Sequence, residues 1–171
     1  MYQWPPRDKS DGYTLQDHFT VKDTPMKPAV CVIIPLDTLA TVLAISRRDN
    51  TSQWGFPGGK VDPGESNVAA AVRELSEEVG ISLSAEFLEP IYAGPCPGKG
   101  PDDSYWVTTY LWTGAVPEQE TLKAETGLVL KGACRALLCD SRHSPFARYN
   151  QEVYFAWDRY RQQAPALHSI R

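Results

Sequence analysis

One short stretch of the sequence carries the side chains with the clearest capacity for chemistry. Glu74, Glu77 and Glu78 fall at positions i, i+3 and i+4, so a helix would present all three on one surface. Clustered carboxylates repel each other, whereas a hard divalent cation offsets the repulsion and takes oxygen ligands. Glu65 supplies a fourth carboxylate, and Arg73 can hold one of them in a bidentate pair. The pattern indicates a cation site, although a solvated acidic helix face would show the same spacing.

A helix predicted over residues 66–79 must position these carboxylates. Its apolar residues recur at steps of four, three and four and form one stripe opposite the acidic surface: Val68, Val72, Leu75 and Val79. Ser66 suits the N-cap, because its hydroxyl can accept a hydrogen bond from the first turn, and Gly80 suits a left-handed C-terminal cap. A Gly- and Pro-rich loop over residues 55–64 precedes the helix.

The remaining pattern predicts strands interleaved with two further helices. Residues 29–34 and 41–46 are expected to pair as a hairpin, and residues 94–101 to form a second Gly- and Pro-rich loop. The other predicted strands cover 87–92, 105–112 and 127–130, and the other predicted helices cover 133–139 and 149–161. Strands interleaved with helices predict an α/β fold in which helices pack on a mixed sheet.

Length and composition limit the class of protein. The chain has 171 residues, of which 42% are hydrophobic and 22% charged, which predicts one globular domain rather than a disordered chain. Its net charge of −4 argues against a broad basic face, so we expect no polymeric nucleic acid as a partner. We find no apolar run long enough to span a membrane and no apolar core of a signal peptide, so we expect no membrane association and a cytoplasmic location.

The N-terminal residues differ in character from the rest of the chain. Residues 1–27 are polar and irregular, with several prolines, and are predicted to form a partly ordered N-terminal arm. The domain itself is predicted over residues 28–171.

The four cysteines have no C-x-x-C spacing, which favours free thiols over a structural zinc site.

The stretch GKVDPGESNVAAAVRELSEEVGI resembles the Nudix box, G-x5-E-x7-R-E-U-x-E-E-x-G-U, in which U is a bulky aliphatic residue. Leu75 and Ile81 fill the aliphatic positions. The seven fixed positions also match: Gly59, Glu65, Arg73, Glu74, Glu77, Glu78 and Gly80. Beyond the box, the segments ISRR (45–48), FPGGK (56–60) and SPFARYN (144–150) look like the MutT branch of the Nudix family.

This resemblance implies an α/β/α sandwich with a mixed sheet. It also implies hydrolysis of a nucleoside diphosphate linked to another group, with Mg²⁺ or Mn²⁺ neutralising the phosphates and acidifying a bound water. By the same resemblance, Glu74 and Glu78 are expected to be the main metal ligands, with Glu77 as a ligand or as a neighbour of the ligands. The Gly58 carbonyl is expected to coordinate as well.

Two further roles follow from the resemblance. Arg73 is expected to orient the glutamates. The base that removes the proton from water is expected to be either Glu74 or Glu125, and the sequence leaves this choice open. Glu125 also has a simpler interpretation, because it belongs to an acidic surface loop with Glu118 and Glu120.

Three residues are expected to contact the substrate. Arg48 could pair with a phosphate or lie in solvent at a strand end. Phe56 could stack on a base or fill the core beneath the loop. Asn150 matches the position at which MutT-like proteins read a purine edge, and an amide suits that task because it both donates and accepts hydrogen bonds. A turn or N-cap role is the alternative for Asn150.

The resulting prediction is a Mg²⁺-dependent hydrolase that cleaves a (d)NTP, including an oxidised purine nucleotide, to a nucleoside monophosphate and pyrophosphate. Pro97, sixteen residues after the box, resembles a feature of the ADP-ribose-hydrolysing branch, so an ADP-ribose or nucleoside-diphosphate-sugar pyrophosphatase is the alternative enzyme. A nucleotide-binding regulatory module is the alternative from another class. The expected partner is a small nucleotide, and a homodimer is left open.

Overall fold

The computed structural model describes residues 20–21, 24–36, 41–98, 103–115 and 129–163. A short 3-10 turn, Ala85–Phe87, precedes the strand that begins at Leu88. The strands and helices of the described part are, in chain order, β1 (Thr20–Val21), β2 (Thr24–Pro25), β3 (Lys27–Ile33), β4 (Val42–Ser46), β5 (Trp54–Gly55), β6 (Gly58–Lys60), α1 (Asn67–Val79), β7 (Leu88–Pro97), β8 (Ser104–Trp112), β9 (Val129–Ala133), α2 (Arg135–Leu138) and α3 (Ala147–Gln163). Among these helices, we find none that is long and apolar enough to cross a membrane.

The strands form one mixed sheet, one antiparallel sheet and a short pair. The mixed sheet has the order β6-β3-β8-β7, in which β3 and β8 are parallel and the other neighbours are antiparallel. The antiparallel sheet has the order β5-β4-β9, and β1 pairs with β2.

Strand β3 divides the core into two layers. Ala29, Cys31 and Ile33 face the layer that contains α3 residues, whereas Val30 and Val32 face the layer that contains α1 residues. This alternation follows from the two-residue period of a strand that is buried on both faces. Helices therefore cover both faces of the mixed sheet, which confirms the predicted α/β/α sandwich in a single domain.

The predicted hairpin forms only beside its turn. The chain does turn between the two strands, with a bridge between Pro35 and Val42 and a hydrogen bond from Leu36 N to Thr41 O. Beyond that bridge the strands diverge, because β3 pairs with β6 and β8 while β4 pairs with β5 and β9. The turn connects two sheets rather than two neighbours in one sheet.

The predicted loop over residues 94–101 is also wrong in its first half. Strand β7 continues to Pro97 and pairs with β8, with Pro95 opposite Trp106 and Pro97 opposite Ser104. Strand β7 lies at the outer position of the mixed sheet among the described strands. A proline is tolerated there because its nitrogen can face away from the partner strand.

Several sequence predictions fall outside the described residues. They include Glu125, the end of the loop predicted over 94–101, the first two residues of the strand predicted over 127–130, and most of the arm predicted over 1–27. The division into an arm and a domain stays a prediction.

Candidate active site

Helix α1 begins and ends where its sequence predicts. The Ser66 side chain accepts a hydrogen bond from Ala69 N at 3.2 Å. At the other end, Gly80 has φ 70° and ψ 20°, a left-handed conformation that glycine adopts without strain, and its N–H donates to Ser76 O at 3.1 Å. Leu75 and Val79 are fully buried, which leaves the acidic surface facing the loop that precedes the helix.

Arg73 is the centre of the acidic surface. Its Nε and Nη2 each donate to Glu65 at 3.0 Å, which forms a bidentate pair. Its Nη1 donates to Glu74 at 2.9 Å and to Glu77 at 3.1 Å, and Nη2 also donates to the Lys60 carbonyl at 2.9 Å. One guanidinium therefore connects the loop, the start of the helix and two of the three clustered glutamates.

Glu78 faces the loop on the other side of this cluster. Its Oε2 accepts a hydrogen bond from Gly58 N at 2.7 Å. Burial, together with the nearby charges of Glu74 and Glu77, raises the pKa of Glu78 to about 7, although the Gly58 N–H opposes this shift. Burial also raises the pKa of Glu74 above its usual range, against the effect of Arg73. The cluster thus holds negative charge that the protein's own cations only partly offset.

Two adjacent glycines bring the loop close to its neighbours. A Cβ atom on Gly59 would overlap the carboxylate of Glu74, with Oε2 at 2.6 Å. A Cβ atom on Gly58 would overlap the backbone of β3, with the Cys31 Cα at 2.6 Å, and Gly58 also has φ +150°. Glycine is therefore required at residue 59 for contact with a side chain and at residue 58 for contact with the sheet.

An open pocket adjoins the loop. Gly58 and Gly59 belong both to its wall and to the surroundings of the acidic cluster. Most of the wall is apolar. The lining residues are Ala29, Val30, Cys31, Phe56, Gly58, Gly59, Lys60, Cys96, Tyr105, Val107, Phe146, Tyr149 and Asn150.

The structure brings two of the three predicted substrate residues into this pocket. Phe56 is buried and forms part of its wall. Asn150, only 1% exposed, also lines it, and its Nδ2 donates to Leu138 O at 2.7 Å and to Ser144 Oγ at 3.2 Å. Arg48 is exposed and lies outside the set of described residues that line the pocket. The substrate roles of all three stay predictions.

The sequence analysis did not single out most residues of the pocket, among them Lys60 and Tyr149. Lys60, the residue after Gly59, places its Nζ 5.9 Å from the centre of the Tyr105 ring at the pocket mouth. Tyr149 is buried in the wall of the pocket, and its hydroxyl donates a hydrogen bond to Val107 O at 3.0 Å. Both are adjacent in sequence to residues that the resemblance singled out, so proximity along the chain was the available signal.

The acidic cluster has the right donors for a hard cation but not a closed cage. Within the described part of the chain, no three His, Cys, Asp or Glu side chains are grouped closely enough to hold a metal ion. Glu65, Glu74 and Glu77 all bond Arg73, which accounts for their orientation. The side chain of Glu77 is 53% exposed and so has room to reorient.

The fold and the box agree with a comparison against protein families. A family model described as the NUDIX domain matches residues 25–143, which is more than half of the chain. The chain therefore belongs to the Nudix hydrolase family, and the predicted membership is confirmed.

Individual relatives point to the same family. The chain is 33% identical over 88 residues to the 8-oxo-dGTP diphosphatase of Proteus vulgaris, covering 50% of this chain and 68% of the relative. It is 38% identical over 72 residues to Nudix hydrolase 3 of Caenorhabditis elegans, covering 38% of this chain and 30% of the relative. The chain spans less than half the length of several curated relatives that it matches.

A solved structure shows the same fold. The crystal structure of the MutT protein from Methanosarcina mazei Go1 superposes with a TM-score of 0.58 at 20% identity, covering 80% of this chain and 97% of that chain. The MutT-like α/β/α architecture predicted from the sequence is thereby confirmed.

Proposed function

We propose that this protein is a divalent-metal-dependent pyrophosphohydrolase that cleaves a nucleoside triphosphate to a nucleoside monophosphate and pyrophosphate. One observation carries the proposal: the acidic cluster around Arg73 and the apolar pocket share the Gly58-Gly59 segment as a common wall. A nucleotide needs such an arrangement, because its base is flat and largely apolar while its phosphates require cations. The similarity to the 8-oxo-dGTP diphosphatase of Proteus vulgaris supports a nucleotide substrate.

The residues of the cluster fit Mg²⁺ or Mn²⁺ in donor chemistry and charge. Such ions take carboxylate and carbonyl oxygens. Glu74, Glu77 and Glu78 supply carboxylates, and the Gly58 carbonyl is a further donor. The raised pKa of Glu78 supports this assignment, because burial and then the neighbouring carboxylates disfavour its charged form, which a bound cation would stabilise. When bound, the metal would neutralise the phosphates and acidify water.

The protein's own residues would orient the metal-binding carboxylates and accept the proton from water. Arg73 fixes Glu74 and Glu77 from one side, while its bonds to Glu65 and to the Lys60 carbonyl anchor it to the loop. A carboxylate must take the proton from the attacking water. Glu74 lies within the cluster, and Glu125 is the alternative base proposed by resemblance.

The pocket would receive the nucleoside end of the substrate. Phe56 and Tyr105 supply aromatic surface, and Asn150 is one of the polar side chains in a mostly apolar wall. Lys60 is exposed, lines the pocket and places its Nζ 5.9 Å from the Tyr105 ring, so it would offer a cation to a phosphate of the bound nucleotide. A small nucleotide is thus the partner that the site accommodates.

A substrate panel tests the proposal. The purified protein is incubated with (d)NTPs including 8-oxo-dGTP, ADP-ribose, dinucleotides and nucleotide sugars, with Mg²⁺ or with excess EDTA, and the products are identified. We expect pyrophosphate from a triphosphate with Mg²⁺, and none with EDTA. Ribose phosphate from ADP-ribose would favour the alternative enzyme. Nucleotide binding without turnover of any compound would favour the regulatory module.

A matched pair of variants makes the assay specific. Glu78→Gln should abolish most turnover, whereas Glu152→Gln changes an exposed glutamate on α3 and should leave it unchanged. Equal rates for the two variants would contradict the proposed centre.

A further inference from the structure

Four buried residues with polar side chains form what we call the inner wall of the pocket: Cys31, Cys96, Tyr149 and Asn150. Each of them carries at least one hydrogen that could be donated to a ligand. The surrounding contacts decide whether that hydrogen is available, since a hydroxyl or thiol has only one.

A chain of hydrogen bonds fixes the direction of three protons. The Tyr149 hydroxyl donates to Val107 O at 3.0 Å, because a carbonyl can only accept. The Thr109 Oγ1, 2.6 Å from the same hydroxyl, must then donate to Tyr149. The Cys31 Sγ lies 3.1 Å from Thr109 Oγ1 and also within hydrogen-bonding reach of Tyr149; since both hydroxyl hydrogens are already used, the thiol is the donor in this network. Cys31 can therefore offer a ligand only the lone pairs of its sulfur, as a hydrogen-bond acceptor.

The thiols keep their hydrogens throughout the neutral range. Burial raises the pKa of Cys31 to about 12 and that of Cys96 to about 11. The Cys96 thiol donates a long, weak hydrogen bond to Pro97 O at 3.8 Å. Both sulfurs therefore meet the pocket as neutral, weakly accepting groups.

The Asn150 amide is oriented by its neighbours. Its Nδ2 lies 2.7 Å from Leu138 O, and the opposite orientation would set two oxygens against each other. The second Nδ2 hydrogen is directed at Ser144 Oγ, 3.2 Å away. Both amide hydrogens are thus used within the protein, and Oδ1 is the atom that Asn150 has for a ligand.

We propose that the inner wall presents hydrogen-bond acceptors only, and that it selects a nucleobase whose inserted edge carries an exocyclic amino group. This inference rests on the proposed function, because it takes a nucleotide as the ligand. A base carbonyl pushed against this wall would lose its bond to water and find no side-chain donor, whereas an amino group would be satisfied. The Lys60 ammonium lies at the exposed mouth and does not belong to the inner wall.

Two nucleotide pairs that differ by a single amino group test the inference. They are AMP against purine riboside 5′-monophosphate, and GMP against IMP, each titrated calorimetrically against the wild-type protein with Mg²⁺. We expect the amino-bearing member of at least one pair to bind about tenfold more tightly or better, and neither pair to show the reverse. Equal binding in both pairs, tighter binding of an amino-free member, or no binding at all would overturn the inference. Monophosphate binding is independent of turnover, so a failure of the proposed function appears separately, as absent triphosphate hydrolysis.

A variant that redirects the protons gives a second test. In Tyr149→Phe, Thr109 loses its acceptor and can donate to Cys31, which releases the thiol hydrogen toward the pocket. We expect the preference for amino-bearing nucleotides to shrink at least threefold, and to recover when Cys31→Ala is added. Thr109→Val should release the same hydrogen and serves if Tyr149→Phe does not fold. Tyr92 packs against Tyr149 but takes no part in this series of hydrogen bonds. Tyr92→Phe should therefore leave the preference unchanged. A folded Tyr149→Phe and Thr109→Val that both keep the full preference would count against the inference.

Discussion

The carboxylate of Glu74 lies directly against the Cα of Gly59, in space that any Cβ would fill. This contact joins the helix that carries the acidic cluster to the loop that lines the pocket. The Arg73 Nη1 bond to Glu74 holds the carboxylate in that position at 2.9 Å. The position of one carboxylate therefore depends on the absence of a methyl group on the loop.

Gly59→Ala should separate activity from stability. The added methyl would displace the end of a flexible side chain, so we expect a loss of unfolding free energy below about 1 kcal/mol. Turnover should fall about 100-fold, because small misplacements of catalytic groups are costly. Gly58→Ala is the matched comparison, since its methyl meets β3 backbone at positive φ and should cost about 1–3 kcal/mol of stability. Thermal melts and initial rates of both variants check this; a fully active Gly59→Ala would refute the role of the contact.

Arg73→Lys should weaken metal binding while keeping the charge. A lysine cannot reproduce a bidentate pair with Glu65 together with bonds to Glu74, Glu77 and a carbonyl. We expect the affinity for Mn²⁺, measured by titration calorimetry, to fall about 10–100-fold. Arg142→Lys is the control, because Arg142 makes its paired bonds to Asp140 on the exposed surface. The assignment fails if both variants bind Mn²⁺ as the wild type does.

Glu78→Gln should lower metal affinity and turnover together. An amide oxygen is a weaker ligand for a hard cation than a carboxylate, while the shape and the acceptor for Gly58 N are kept. Without metal, the variant should be as stable as the wild type or more stable at pH 8, by about 1 kcal/mol or more, since a buried charge is removed. Melts in EDTA, run beside rates at saturating Mg²⁺, measure both effects. A large drop in melting temperature with an intact rate would show that Glu78 is structural.

The metal-free protein should become less stable as the pH rises from about 5 to 8. The folded-state pKa of Glu78 is about 7, above the usual carboxyl value of 4.5, so the folded state binds more protons in this range. Stability from this group is therefore complete below pH 4.5 and is lost as the pH rises through 7. Melts in EDTA across the range should show the slope, and Glu78→Gln should flatten it. A wild-type melting temperature that rises over this interval would contradict the raised pKa.

Asn150→Ala should affect both folding and recognition. It leaves Leu138 O without its hydrogen bond, which should cost about 1–3 kcal/mol of stability, and it removes Oδ1 from the pocket. Binding of a purine nucleotide should weaken about tenfold, while Mn²⁺ affinity stays constant. Ser144→Ala removes the 3.2 Å contact to Asn150 and the Phe146 N hydrogen bond to the same oxygen, but it keeps Asn150 Oδ1 and the Leu138 bond, so it is the control for recognition. If nucleotide binding is unchanged in Asn150→Ala, the residue only connects α2 to α3.

The local features of this fold were readable from the sequence. Helix α1, its Ser66 cap and its Gly80 cap follow from apolar spacing and from short-range hydrogen bonding, which a few neighbouring residues decide. The cluster of glutamates follows from the same helical period. Arg73 was expected to hold one carboxylate in a bidentate pair and, by resemblance, to orient the glutamates. The identity of the bidentate partner, Glu65, could not be predicted, because several carboxylates were within reach.

Long-range pairing lay beyond the sequence. Cys31 meets Thr109 only because β3 and β8 run parallel in one register, and nothing in either strand specifies that partner. The divergence of β3 and β4 into separate sheets likewise depends on which strands compete for each edge. The pocket is made from residues on several such elements, so it could not be assembled before the topology was known.

The outer strand β7 has a consequence for behaviour in concentrated solution. An unpaired strand edge can template growth with another molecule, as in cross-β aggregates. Pro95 and Pro97 stand two residues apart on this edge and lack the N–H groups that an incoming strand would need. Within the described part of the sheet, these prolines of the predicted loop therefore disfavour edge-to-edge pairing with another molecule.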